Sequence, residues 1–163
     1  MAITVKEYKV PSSDGIHTLW GQVYLPEGEP VGYLHVVHGM TEHIRRYDPF
    51  MRHFAERGFL VFGYDHLGHG YTAAGEEELG YIADKDGWQR LADDVGVYAA
   101  SVKAVYPLEG RTVTFISSRA SSAFPSWVHI SSPTPPLPIW NIGSMLCAIE
   151  RRYARCLLLS ITI

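Results

Sequence analysis

Cysteine is scarce in this chain of 163 residues: only Cys147 and Cys156 occur. Two cysteines build no disulfide framework, and a reducing, cytoplasmic setting is the default expectation. Long apolar runs are missing too. No stretch of about 18 apolar residues exists, so no membrane-spanning helix is expected. The opening MAITVKEYKV alternates apolar and charged residues and has no apolar h-region, so it does not read as a signal peptide. An excess of positive charge is also lacking. The formal charge is −3 and the pI about 6.2, which gives no electrostatic case for nucleic acid.

Two further shortages are local. No Asp follows Asp94, and only Gly110 and Gly143 of the fifteen glycines lie beyond position 107. Nine basic against fifteen acidic residues precede position 108; five against two follow it. Residues 117–138 are dense in Ser and Pro, with Pro133, Pro135, Pro136 and Pro138 close together. Proline fixes φ and removes a backbone donor, so this stretch reads as extended or disordered chain rather than sheet or helix. Residues 143–159 could form a helix aligning Met145, Ile149 and Tyr153. The terminal CLLLSITI is a short apolar run with no evident strand partner, an aggregation hazard. The chain therefore divides into a core-forming part, 1–117, and an atypical tail, 118–163, with the bias of a disordered segment, a shifted reading frame or a foreign exon.

The first part is orderly. Ile3 to Val10 and Ile16 to Leu25 alternate apolar and polar residues around Ser12-Ser13-Asp14-Gly15, which reads as an antiparallel hairpin. Leu34 to Val37 reads as a strand buried on both faces, and it ends at His38-Gly39. Pro49 to Arg57 places Phe50, Met51, Phe54 and Ala55 on one helical face, with Gly58 just past its end. Phe59 to Tyr64 is a second apolar strand, running into Asp65-His66-Leu67-Gly68-His69-Gly70. Thr72 to Asp86 is a polar connection whose Glu76-Glu77-Glu78 run reads as a solvated face. Over 86–106, Trp88, Leu91, Ala92, Val95, Ala99, Val102 and Val105 recur at helical spacing, with Asp84 or Asp86 available as N-cap and Pro107 beyond the end. Arg111 to Ser117 reads as another strand. The fold class expected is α/β: an antiparallel hairpin followed by parallel β-α-β units, with both loops of the central unit at the carboxyl ends of their strands.

The sequence His38-Gly39-Met40-Thr41-Glu42-His43 with Arg46-Tyr47, followed by Asp65-His66-Leu67-Gly68-His69-Gly70, resembles the monoacylglycerol lipase and lysophospholipase (serine aminopeptidase-like) branch of the α/β-hydrolase superfamily. The resemblance covers about residues 12–107. It implies the N-terminal part of an α/β-hydrolase sheet and a serine hydrolase of lipid carboxylic esters. That reaction proceeds through a serine acyl-enzyme and needs no cofactor. Acyl transfer places negative charge on a carbonyl oxygen, which backbone N–H groups can stabilise. By resemblance one donor is the N–H of Met40, carried by an oxyanion loop that includes His38 and Gly39. The Asp65 to Gly70 loop supports the site without bond-making.

The rest of the catalytic set is missing. A nucleophile elbow needs Gly-x-Ser-x-Gly after the strand at 111–117, and no glycine in this chain has a serine two residues later. Ser118 is the nearest substitute by position, flanked by Ile116 and Ala120 where glycines belong. The triad order on this fold is Ser, then Asp or Glu, then His. After Ser118 only Glu150 and His129 remain, and His129 comes first. Six of eight histidines fall within 31–70, yet the metal-binding spacings H-E-x-x-H and H-x-H are absent, so no metal site is expected. The expectation is a hydrolase framework whose only substrate class is a small lipid ester and which is inactive or incomplete as written. The alternative is a non-catalytic α/β module that joins a partner or self-associates through uncovered sheet.

Overall fold

The computed structural model describes residues 2–109, 112–116, 127–131 and 140–141. Among the described residues seven strands are formed: β1 (Ile3–Pro11), β2 (Thr18–Pro26), β3 (Gly32–Val37), β4 (Phe59–Tyr64), β5 (Thr112–Ile116), β6 (Trp127–Ser131) and β7 (Trp140–Asn141). Helix α1 (Asp48–Ala55) lies between β3 and β4, and helix α2 (Gly87–Val105) between β4 and β5. The strands form one sheet in the order β1-β2-β4-β3-β5-β6-β7. β1 and β2 pair antiparallel as a hairpin, β2 pairs antiparallel with β4, and β4, β3 and β5 run parallel. This is the expected hairpin followed by β-α-β units, and it brings the loops after β3 and β4 to the same rim of the sheet.

Side chains alternate across a strand, and here the alternation sorts two cores. Leu34, Val36 and Val61 pack with Ile44, Met51, Phe54 and Ala55, so α1 covers one face. Tyr33, Leu60, Phe62 and Tyr64 pack with Tyr98 and Val102, so α2 covers the other. β3 is buried at all six positions because it has neighbours on both edges and a helix on each face. His35 belongs to the α2 face, its ring stacked on Phe62 at 4.5 Å.

Three features differ from the sequence expectation. The buried stripe of α2 runs through Asp94, Tyr98 and Val102, whereas Trp88 and Val105 are exposed. Of the expected stripe, Val102 is buried and Val95 and Ala99 pack against the core, but the spacing gave no sign of Asp94, whose burial depends on hydrogen bonds. The Asp94 carboxylate accepts the Ser12 hydroxyl at 2.9 Å and the Ser13 N–H at 2.7 Å, tying the helix to the β1–β2 turn. Asp86 stands at the start of α2 but makes no side-chain cap. Its backbone is left-handed (φ 55°, ψ 29°), not the extended conformation that aims a capping side chain at the first amides.

The third difference is in the Ser/Pro-rich stretch. Trp127–Ser131 is a strand, paired antiparallel with β5. The segment WVHIS holds no proline and two β-branched residues, and the four clustered prolines all follow it. The 143–159 segment and the terminal CLLLSITI lie outside the described residues.

Candidate functional site

The loop that follows β3 is held by its own side chains. Glu42 is buried, and its Oε2 accepts the Gly39 N–H at 3.2 Å and the Tyr47 hydroxyl. The Gly39 carbonyl accepts the Glu42 N–H at 3.2 Å and lies 2.8 Å from His38 Nδ1. His38 Nε2 accepts the His66 N–H at 3.0 Å, so the ring proton must sit on Nδ1, which donates to Gly39. Burial pushes His38 down to about 4, although the Gly39 carbonyl acts against the shift. His38 is therefore neutral at neutral pH. Its 4.0 Å approach to Asp65 is not an ion pair.

The loop that follows β4 grips the first one. His66 Nε2 faces the His38 carbonyl at 3.1 Å and donates to it. Burial, with the neighbouring His38, lowers His66 to about 3. His69 Nε2 lies 2.6 Å from the Met40 carbonyl, and its Nδ1 lies 2.8 Å from the Leu67 carbonyl. Asp65 reaches across as well, accepting the Ile44 N–H at 2.7 Å and the Tyr71 N–H at 2.9 Å. Burial raises the Asp65 carboxyl, against the pull of these two amides. Two glycines allow the turn. Gly68 (φ 68°) would place a β-carbon 2.0 Å from the Tyr81 carbonyl, and Gly70 (φ 50°) would place one 2.0 Å from the Asp65 carboxylate.

Three successive peptide planes are thus anchored. The His38–Gly39 plane is held at both its carbonyl and its N–H, the Gly39–Met40 plane at its carbonyl, and the Met40–Thr41 plane at its carbonyl. The Met40 N–H makes no hydrogen bond among the described residues. In a trans peptide the N–H points opposite to the carbonyl. Fixing the Gly39 carbonyl inward therefore fixes the direction of the Met40 N–H. Beside it lies an open cleft of about 500 Å³, lined by Met40, Arg45, His69 and Tyr71 among others.

Of the site residues expected from sequence, His38, Gly39 and Met40 come together in this loop. Ser118 lies outside the described residues. No group of three or more His, Cys, Asp or Glu among the described residues is placed to hold a metal ion. Sequence reading did not find the direct roles of Asp65, His66 and His69. Their clustering within one six-residue loop was the available signal, but only the fold shows which backbone groups they reach.

The family model described as serine aminopeptidase, S33 matches residues 28–117. The chain is 31% identical to a monoglyceride lipase of Rattus norvegicus over 96 residues, which is 59% of this chain and 29% of that protein. It is 30% identical to a monoglyceride lipase homolog of Monkeypox virus over 89 residues, 52% of this chain and 30% of that one. Among solved structures, a carboxyl esterase from Bacillus coagulans superposes with a TM-score of 0.59 at 34% identity, covering 71% of this chain and 36% of that one. A lipase in an open form gives 0.60 at 25% identity with the same coverage. The chain spans about 30% of the length of the curated relatives it matches.

Proposed function

The chain belongs to the serine aminopeptidase S33 family, and on that premise we propose that it is the N-terminal framework of a serine hydrolase for lipid carboxylic esters such as monoacylglycerols or lysophospholipids. The observation that carries this reading is the unspoken-for Met40 N–H between anchored peptide planes. A donor held still before charge develops stabilises an oxyanion without reorganisation, and one such donor is worth about 10²–10³ in kcat. His38 and Gly39 serve as the frame of this donor. The second donor and the nucleophile belong to a strand-to-helix turn after β5, for which this sequence has no Gly-x-Ser-x-Gly.

As written, the chain carries half an oxyanion hole and no triad, so its hydrolysis of esters is at most residual. The atypical composition begins after 117, and although Trp127–Ser131 and Trp140–Asn141 join the sheet, we read 118–163 as an out-of-frame or foreign segment. The test is direct. The coding DNA after codon 107 should reveal Gly-x-Ser-x-Gly in one of its other two frames. The protein made in that frame should hydrolyse a monoacylglycerol, and Met40→Pro, shown to be folded by near-UV circular dichroism, should lower its kcat about 10²–10³-fold. Absence of the motif from both frames would remove the account of the tail. An unchanged kcat in the proline variant would remove the role given to Met40.

A further inference from the structure

Among the described residues β1 is an edge strand, with β2 on one side and no strand on the other. Which of its backbone groups are already used follows from the phase of the hairpin. The Ser12 N–H donates to the His17 carbonyl at 2.9 Å, one step beyond the pair Pro11 and Thr18. Bonded and non-bonded pairs alternate along an antiparallel ladder. Carried back along the register, Val10, Tyr8, Lys6 and Thr4 turn their N–H and carbonyl groups toward β2. Ile3, Val5, Glu7 and Lys9 turn theirs outward. Pro11 falls on the outward side as well, where the hairpin asks no N–H of it.

The side chains along this edge are patterned about Tyr8. Glu7 and Lys9 flank it, both exposed and paired with each other at 2.9 Å. They share a face with Ile3 and Val5, which pack on the α1 side. Tyr8 lies on the α2 side, its hydroxyl 3.0 Å from Ser101 Oγ. One helical turn to either side of Ser101 stand Val97 and Val105, 37% and 55% exposed. Lys103 reaches the other way, over the Tyr33 ring of β3 at 5.5 Å. The Val97–Ser101–Val105 side of α2 is therefore the side that faces the free edge.

We infer that β1 is the two-fold interface of a homodimer, in which the β1 strands of two copies pair antiparallel about Tyr8 and the sheet continues from one copy into the other. In this register Glu7 of each copy stands opposite Lys9 of the other, and the two residues exchange their outward N–H and carbonyl groups. The charges of both copies then alternate in sign around the axis. A shift to the next bonded register in either direction sets Glu7 on Glu7 or Lys9 on Lys9, and like charges directly opposite are destabilising. Edge charges commonly block pairing; opposite charges two residues apart instead select the register in which they face each other. Pro11, opposite Val5 of the other copy, bounds the ladder at each end. On the other face Tyr8 meets its own copy at the closer, non-bonded spacing, and the Val97 and Val105 sides of the two helices turn toward each other across it. The contact is self-complementary and closes at two copies. It is independent of the role proposed for Met40.

Sedimentation equilibrium of the full chain should show a reversible dimer. Glu7→Lys alone, or Lys9→Glu alone, puts like charges opposite at both symmetry-related places and should weaken the dimer about tenfold or more. The exchange of both, Glu7→Lys with Lys9→Glu, should restore it. Mixing the two single variants should give a heterodimer tighter than either homodimer, which also shows that both are folded. A chain that stays monomeric, a dimer that neither single variant weakens, or a double variant no tighter than the single ones would overturn the inference.

Discussion

His38 and His66 hold each other by two hydrogen bonds, the His66 N–H to His38 Nε2 and the His66 ring N–H to the His38 carbonyl. The pair is a side-chain substitute for a strand ladder, formed where β3 and β4 have ended and their backbones diverge. It makes the loop after β3 depend on a residue 28 positions later. Replacing His66 with Phe retains bulk and leaves the His38 carbonyl without its donor. We expect a loss of about 1–3 kcal/mol in urea denaturation, the cost of an unpaired buried group, together with faster amide exchange over 39–42. Unchanged exchange there would show that the loop does not need the pair.

Three buried histidines give the stability a defined acid dependence. Burial lowers His35 and His66 to about 3 and His38 to about 4, each from 6.5. Between those values and 6.5 the unfolded chain binds more protons than the folded one. Stability is therefore fully present above about pH 6.5 and falls as pH drops toward 4. The unfolding free energy measured from pH 7 to 4 should decline before most carboxylates titrate. His35→Gln should shallow that decline. A flat profile down to pH 4.5 would contradict the buried, neutral state of these rings.

Asp94 is the strongest candidate for a single destabilising position outside the loops. It is buried within α2 and accepts from Ser12 and Ser13. Asp94→Ala leaves both donors unpaired and should cost about 2–4 kcal/mol, while Asp94→Asn, which keeps one acceptor oxygen, should cost about half as much. The midpoint shift in urea is the measurement. Equal effects from the two variants would mean that lost packing, not lost acceptors, dominates.

Gly70→Ala should cost about 1–3 kcal/mol. Its φ of 50° disfavours a side chain, and the added carbon would meet the Asp65 carboxylate at 2.0 Å. Because Asp65 also holds the Ile44 and Tyr71 amides, the variant should disturb those two resonances first. A silent spectrum at Ile44 and Tyr71 would separate the glycine from that network.

The chain as written should not label with a fluorophosphonate probe, which needs an activated serine. Stoichiometric labelling would show that a nucleophile exists, and mass mapping would place it.

Much of the framework was legible because its signals are local. The apolar run Phe59–Tyr64 coincides with β4, and the hairpin, α1 and β5 lie within two or three residues of their expected bounds. The His38-Gly39-Met40 loop was found from residue identity. The buried face of α2 was legible only in part: Val102 belongs to it, but Asp94 was missed because its hydrogen-bond donors, Ser12 and Ser13, lie 82 and 81 residues earlier in sequence. Hydrophobic periodicity cannot register a carboxylate that is buried because a distant turn donates to it. The reach of Asp65, His66 and His69 was hidden for a related reason: side chains that satisfy another loop's backbone leave no period in the sequence.

The pairing of β6 with β5 bears on how this sheet can continue. Winding by right-handed crossovers needs each new strand to start at the far rim, after a connection of about a dozen or more residues. β6 instead runs against β5, with Ile116 opposite Trp127. The carboxyl end of β5 and the amino end of β6 therefore stand on the same edge of the sheet as Met40, in the quarter where a wound sheet would have begun its next ascent.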